Sequence, residues 1–565
     1  MKQVKQLKRG IISVAAAVVL VACVSVQQTP TPEQELKALI EKTLPSSVPG
    51  AVVYVVKEND VVLEYAQGLA DLSLQAPMQP NSSFFMGSVA KQFTAVAILR
   101  LQEQGKLSLT DPVTKWLQNF PAEYNAISLR HLLTHTSGIP NFLALPAWQQ
   151  QARLPASYDQ LHALYKDLPL QFAAGSAWNY SNSGYLILAH IVELASGQGF
   201  NEYLQQEVLG RGGVTQIWPY ESDRIYPLLA RGYIPHGHGS RPADFYDPSQ
   251  VMGAGGLVAT AQGLYQWTKA LTAGEIISSA SLNLAWQPYV LNSGEATSAG
   301  LGWEIGSVRG SRSIEHGGYY PGYFTFALWL PEEQVFVAAF VNSRSYDPQE
   351  LAVRVAAQVV NKPYPALEPV VLSDSDINYW QGVWQDANGR RRVVGTLDGQ
   401  LYIQRAGGSA FMVELGQQGY VHYQNSLSYL KRGTDAEGQW LELHNRNGLV
   451  SRSYRTQEMP KHYRTLALSP LQMAALEGEY TLAPEFSLRI FIDGDAHYAQ
   501  GTGQNAGKLL ALSEQVLVTD DLIAELHFER NENGEVTGLV LHQNGQTYPP
   551  PGYRIRWSWV WRPAR

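Results

Sequence analysis

Ser88-Val89-Ala90-Lys91 heads the run Gln92-Phe93-Thr94-Ala95-Val96-Ala97-Ile98-Leu99-Arg100-Leu101. Phe93, Val96, Ala97 and Leu101 share one helical face, and Gly105 supplies the stop. On a helix, residues i and i+3 lie about 5–6 Å apart at Cβ. Lys91 therefore reaches the Ser88 hydroxyl, and the helix N-terminus favours negative charge developing there. An S-x-x-K is weak evidence by itself, and the chain carries a second at Ser428-Tyr-Leu-Lys431. That copy lies in strand-like sequence, where i and i+3 point to opposite faces.

Two further clusters follow. Tyr180-Ser181-Asn182 lies in a Gly/Ser-rich loop after Trp178. A nearby ammonium stabilises a phenolate, so the Tyr180 pKa is expected to fall, letting it take a proton from Ser88 directly or jointly with Lys91. A second Y-x-N, Tyr423-Gln-Asn425, is too close to Ser428 to build separate walls of a pocket. His316-Gly317-Gly318 precedes an apolar run from Phe324. Glycines on an edge strand open the backbone to close approach by a ligand. The Tyr319 N–H is then placed to join that of Ser88 as an oxyanion hole.

Around these clusters the chain reads as a helix over 33–44, then two β-branched runs, Gly50 to Val56 and Val61 to Tyr65, joined as a hairpin. Phe324 to Leu330 and Val335 to Val341 form another hairpin, and Glu350 to Asn361 a last helix. Strands at both ends with helices between them predict one antiparallel sheet closed by both chain ends, with a helical subdomain inserted. The fold class is α+β.

Ser88, Tyr180 and His316 are 92 and then 136 residues apart. In that order and context, the chain resembles the serine β-lactamase and penicillin-binding-protein superfamily, nearest its class C branch, with motifs S-x-x-K, Y-x-N and K-T-G. The resemblance covers about 33–362. His131-Leu-Leu-Thr-His135-Thr-Ser-Gly138 resembles a segment frequent in that superfamily. It implies a β-lactamase/transpeptidase-like fold, Ser88, Lys91 and Tyr180 as catalytic residues, and Asn182, His316, Gly317, Gly318 and Tyr319 around the substrate and its oxyanion. The third motif departs, reading His-Gly-Gly. A lysine is a fixed cation suited to a substrate carboxylate, whereas a histidine is mostly neutral at pH 7.

After Lys362-Pro363-Tyr364-Pro365 the sequence becomes short alternating runs with Gly, Asn and Asp turns. Trp380-Gln-Gly382-Val-Trp384 matches Leu476-Glu-Gly478-Glu-Tyr480, and Leu401-Tyr402-Ile403-Gln404 matches His497-Tyr498-Ala499-Gln500, both at an offset of 96. Gly448-Leu-Val450 resembles Gly534-Glu-Val536 at an offset of 86. This is a domain duplication rather than a solenoid. Two small all-β domains of about eight strands each are expected, at 370–465 and 466–565. An H-x-G third motif followed by two lipocalin-like barrels resembles D-aminopeptidase and its relatives. The barrels are expected to be filled by side chains and to shape or cover the cleft, rather than to hold an apolar ligand. Trp557, Trp559 and Trp561 alternate like a half-buried strand.

The amino terminus reads as an address. Lys2, Lys5, Lys8 and Arg9 precede an apolar run from Ile11 to Ala22, the length of a signal-peptide core and too short to span a bilayer. Leu20-Val21-Ala22-Cys23 resembles a bacterial lipobox, and Cys23 is the one cysteine among 565 residues. The expectation is a lipoprotein signal over 1–22, a lipid on Cys23 and a tether over 23–32. By resemblance to Gram-negative lipoprotein sorting, Val24 in place of Asp implies outer-membrane retention, with the body facing the periplasm.

One cysteine excludes an intramolecular disulfide and a cysteine-based metal site. A net charge of -7 with no basic patch argues against nucleic acid. His131 and His135 lack the Glu of H-E-x-x-H, and His236-Gly-His238 reads as a solvated loop. No cofactor and no metal are expected, and the oligomeric state stays open. The expected activity is acyl-enzyme hydrolysis of small amides or peptides bearing D-residues. The alternatives are an ester, then a β-lactam that is hydrolysed or only bound.

Overall fold

The computed structural model describes residues 31–44, 49–117, 120–236, 239–365, 368–424, 426–446, 448–483, 486–494, 496–502, 504, 506–543 and 546–548, with the backbone of 556–558. Residues 1–30, and with them Cys23 and the leader, lie outside the described residues, as do Gly237, His238, Asn425, Trp559 and Trp561.

Seven strands form the central antiparallel sheet: β1 (Gly50–Lys57), β2 (Asp60–Asp71), β3 (Ala76–Pro77), β4 (Glu304–Val308), β5 (Ser311–Tyr320), β6 (Tyr323–Leu330) and β7 (Val335–Val341). Their order is β3-β2-β1-β7-β6-β5-β4, so strands from the two ends of the domain meet at its centre, with Val53 opposite Ala339. Both β1 and β7 are apolar and buried on both faces. Such strands are stable only with a layer on each side of the sheet. Val53, Val55 and Val337 face α1 (Pro32–Thr43) and a C-terminal helix, Pro348–Val359, through Leu36, Ile40, Leu351 and Val355. Val52, Tyr54 and Phe336 face the larger helical subdomain. That subdomain contains α2 (Lys91–Glu103) and α3 (Asn182–Ser196).

Sequence accounts for the helix ends. Thr31 and Gln34 form a capping box on α1 with Pro32 in its first turn. Asp347 caps the helix that begins at Pro348. The α3 helix ends on Gly197 in the left-handed conformation.

The β4–β5 ladder has a feature that matters for the site. It runs from Ser311 opposite Val308 to Glu315 opposite Glu304, and there β4 stops. Beyond that point Gly317 to Tyr320 pair only with β6, which leaves one backbone edge of β5 open.

The C-terminal region holds two all-β bodies. In the first, Gly382–Gln385 pairs with both Arg391–Leu397 and Val450–Arg455, which closes an eight-strand barrel. Trp380, Trp384, Leu401, Leu430 and Leu441 pack in its core. The second, from Gly478–Ala483 to Gln546–Tyr548, repeats the meander and is nearly closed, around Tyr480, Leu488, Leu517 and Leu539. The duplication extends to the caps: Ser373 with Asp376 and Ser469 with Gln472 form capping boxes on short helices ahead of each barrel, again 96 residues apart. The backbone of Arg556–Ser558 pairs with Gly478–Ala483. Among the described residues no helix is long and apolar enough to cross a membrane.

The first barrel leans on the edge of the sheet at β4 and β5. Arg309 donates to Tyr429 at 3.3 Å and Tyr364 to the Arg446 carbonyl at 2.7 Å. The Arg446 guanidinium pairs with Glu315.

Candidate active site

Ser88 sits in a 3-10 turn, Gly87–Ala90, which runs directly into α2 at Lys91. Gly87 has a φ of 51°, and a Cβ there would lie 2.5 Å from the Tyr319 carbonyl oxygen. On the other side of the contact, a Cβ on Gly318 would lie 1.9 Å from the Met86 oxygen. Thr325 donates to that oxygen at 2.8 Å. The Ser88 turn and β5 thus meet backbone to backbone. The sequence reading gave both glycines of His-Gly-Gly to ligand access. Gly318 instead yields its space to the protein's own Met86, while a Cβ on Gly317 would meet the Phe326 ring at 3.4 Å and the Thr325 carbonyl at 3.9 Å, both ordinary contacts. Ser88, Tyr180, His316, Gly317, Gly318 and Tyr319 line one cleft of about 330 Å³, together with Glu304, Asp347 and Gln349.

Lys91 is fully buried. Its Nζ donates to Ser88 Oγ at 3.2 Å, Asn182 Oδ1 at 2.7 Å and the Ala254 carbonyl at 2.9 Å. All three ammonium hydrogens have an acceptor, and none of these acceptors is charged. Burial pushes the Lys91 pKa well below the ordinary lysine value. Asn182, the first residue of α3, is fixed in turn by Asn141 Oδ1, which accepts from its backbone and side-chain N–H at 3.3 Å.

Tyr180 departs from expectation. Lys91 Nζ lies over its ring, 4.9 Å from the centroid, rather than against its oxygen. The Tyr180 hydroxyl is buried without a formed hydrogen bond, and the Ser88 hydroxyl is the one neighbour that eases that burial. Burial pushes the Tyr180 pKa up, and the Glu304 charge adds to it, so the predicted lowering by Lys91 is reversed. Burial shifts the lysine down instead.

His135 stacks on Tyr180 with ring centroids 4.2 Å apart, and its Nδ1 accepts from the Ser181 N–H at 3.1 Å. His131 Nδ1 accepts from the Ser128 N–H at 3.1 Å. Each imidazole of this pair serves the backbone. His316 Nδ1 donates to the Gly317 carbonyl at 2.6 Å. Burial, followed by the Lys91 charge, pulls the His316 pKa down to about 4, so its ring is neutral at pH 7. The second S-x-x-K does not form a like arrangement: Lys431 lies over the Tyr420 ring at 4.9 Å.

Sequence reasoning missed Ala254, Asn141, Glu304, Asp347 and Gln349. An acceptor carbonyl carries no residue-type signal, and a carboxylate at a strand end reads as surface.

The Beta-lactamase family model matches residues 36–361. Penicillin-binding protein 4* of Bacillus subtilis (strain 168) is 28% identical over 380 residues, 63% of this chain and 83% of that protein. The D-aminopeptidase of Brucella anthropi is 26% identical over 354 residues, 60% of this chain and 64% of its own length. The octameric penicillin-binding protein homologue of Pyrococcus abyssi superposes with a TM-score of 0.54 over 82% of this chain and 97% of its own, at 22% identity.

Gly318→Ala tests the backbone contact. The added methyl must push β5 off Met86, and losing one oxyanion donor costs about 10²–10³ in turnover. A comparable loss of Ser88-dependent turnover, with circular dichroism unchanged, is expected. A variant at wild-type rate would show that the close approach is dispensable.

Proposed function

The chain belongs to the Beta-lactamase family and is a serine hydrolase, and from that premise we propose that it cleaves small amides or peptides bearing D-residues through an acyl-enzyme on Ser88. The observation that carries this reading is the buried Lys91 amine with Ser88 Oγ among its three neutral partners.

The residues act in sequence. Ser88 Oγ attacks the substrate carbonyl carbon as its proton passes to the Lys91 amine, which burial has made a base at moderate pH. The carbonyl oxygen becomes an oxyanion held by the Ser88 and Tyr319 N–H groups. The C–N bond breaks, and the proton returns to the leaving amine by way of the Tyr180 hydroxyl. Tyr180 stays protonated and serves as a carrier, in keeping with its raised pKa. Water then attacks the acyl carbon, Lys91 takes its proton, and the acid leaves with Ser88 restored. Asn182 holds Lys91 on Ser88 and presents its amide to the substrate. His316 borders the cleft as a neutral ring, which argues against a carboxylate anchor of the K-T-G kind.

We further propose that the body is lipid-anchored through Cys23 to the outer membrane and faces the periplasm. The cationic leader, the apolar run and the position of the lone cysteine support this. The wild-type chain should fractionate with membranes and Cys23→Ser should not; membrane association that survives the substitution removes the lipid from the account.

Release of nitroaniline from D-alanine p-nitroanilide, with Ser88→Ala as the blank, tests the activity. Ser88-dependent release is expected, and its absence in the presence of ester hydrolysis would replace the amidase reading with an esterase one. The pH profile tests the base. Activity should rise as Lys91 loses its proton, with the acid limb well below 10.5, the ordinary lysine value. Lys91→Arg, which cannot deprotonate, should lose about 10²–10⁴ in rate. An acid limb at the ordinary lysine value would rule out Lys91 as the base.

A further inference from the structure

The charges around the cleft are unevenly used. Glu304 and Glu315 stand directly opposite each other on β4 and β5. Like charges in that position repel. Among the described residues one cation forms an ion pair with either of them, and it comes from the first barrel. Arg446 pairs with Glu315, which also accepts from Ser313 Oγ at 2.7 Å. With its side-chain oxygen turned inward, Gln349 accepts from Arg446 Nη2 at 3.0 Å. Arg446 and Glu315 are thereby committed to each other. Asp347, another cleft carboxylate, is occupied as the cap of its helix, accepting from the Gln349 N–H at 2.9 Å.

Glu304 is left without a direct contact. Among the described residues its carboxylate has no ion pair and no side-chain hydrogen bond, although it lines the same cleft as Ser88. Burial and the Glu315 charge push its pKa up, and the Arg446 charge offsets this only in part. The buried Tyr180 hydroxyl, whose burial Ser88 eases, belongs to the same cleft and feels the Glu304 charge. Position adds a second argument. Glu304 is the residue at which β4 ends and the open edge of β5 begins. An extended ligand lying along Gly317 to Tyr319 takes the place of the missing strand, and its end abuts Glu304.

We infer that Glu304 receives a primary ammonium on the substrate, so that the preferred substrates carry a free amine near the scissile carbonyl rather than a carboxylate. This rests on the hydrolase reading above. Arg446 of the first barrel is what makes it available, because without that cation Glu315 would compete for the same ammonium.

The test compares D-alanine p-nitroanilide with its N-acetyl derivative, which keep one leaving group and differ in the ammonium, and uses p-nitrophenyl acetate to register Ser88 turnover as such. The wild-type chain should favour the free amine by about tenfold or more in kcat/KM, the discrimination of one charge-assisted hydrogen bond. Glu304→Gln should collapse that ratio towards one through KM rather than kcat, and Glu304→Asp should restore part of it. Equal use of the two anilides by the wild type overturns the inference while leaving the hydrolase reading intact. So does a Glu304→Gln variant that keeps the full preference. If only p-nitrophenyl acetate is turned over, D-alaninamide should compete with it about tenfold better than N-acetyl-D-alaninamide, and equal competition overturns the inference. Loss of Ser88-dependent turnover on all three compounds removes the hydrolase reading and the inference together.

Discussion

The site is organised by one buried amine that must be hydrogen-bonded on all sides. A lysine taken out of water is costly unless its protons are received. Here they go to Ser88 beside it, Asn182 at the start of α3 and the Ala254 carbonyl. These acceptors come from three stretches far apart in sequence. The helical subdomain must therefore close around Lys91 for the nucleophile to be placed. The same closure that satisfies the amine also lowers its proton affinity, so stability of the pocket and reactivity of Ser88 have a common origin.

The backbone contact between the Gly87 turn and Gly318 ties this subdomain to the sheet. It works because neither residue has a Cβ at the point of approach. The sheet contributes the rigid edge, the subdomain contributes Lys91, and the cleft is what remains between them. The first barrel contributes through Arg446, which pairs with Glu315. The catalytic unit and the barrel are therefore electrostatically one piece at this edge.

Much of this was legible in sequence. The periods of β1, β7 and α2 and the punctuation by Pro and Gly led to the α+β layout, and the 96-residue offset led to paired barrels. Ser88 with Lys91 was readable because helical spacing alone brings them together. Tyr180 was legible as a neighbour but its titration was not, since its direction depends on how much water the folded pocket excludes. Glu304 and Arg446 were invisible for another reason. Their meaning comes from where a strand stops and where a distant barrel lands, and no local pattern encodes either. Gly318 was read with the right requirement and the wrong occupant.

The placement of β1 beside β7 also bears on how the protein is made. Gly50–Lys57 is apolar on both faces, and its inner partner, Val335–Val341, arrives only at the far end of the domain. A chain emerging amino end first holds a hydrophobic strand without its central neighbour through most of the domain's synthesis, a pairing of high sequence separation that is slow to form. The hairpin with β2 shields one side in the meantime. The two halves of the sheet are joined only when β7 docks between β1 and β6, so the cleft takes its final form at the end of the domain's folding.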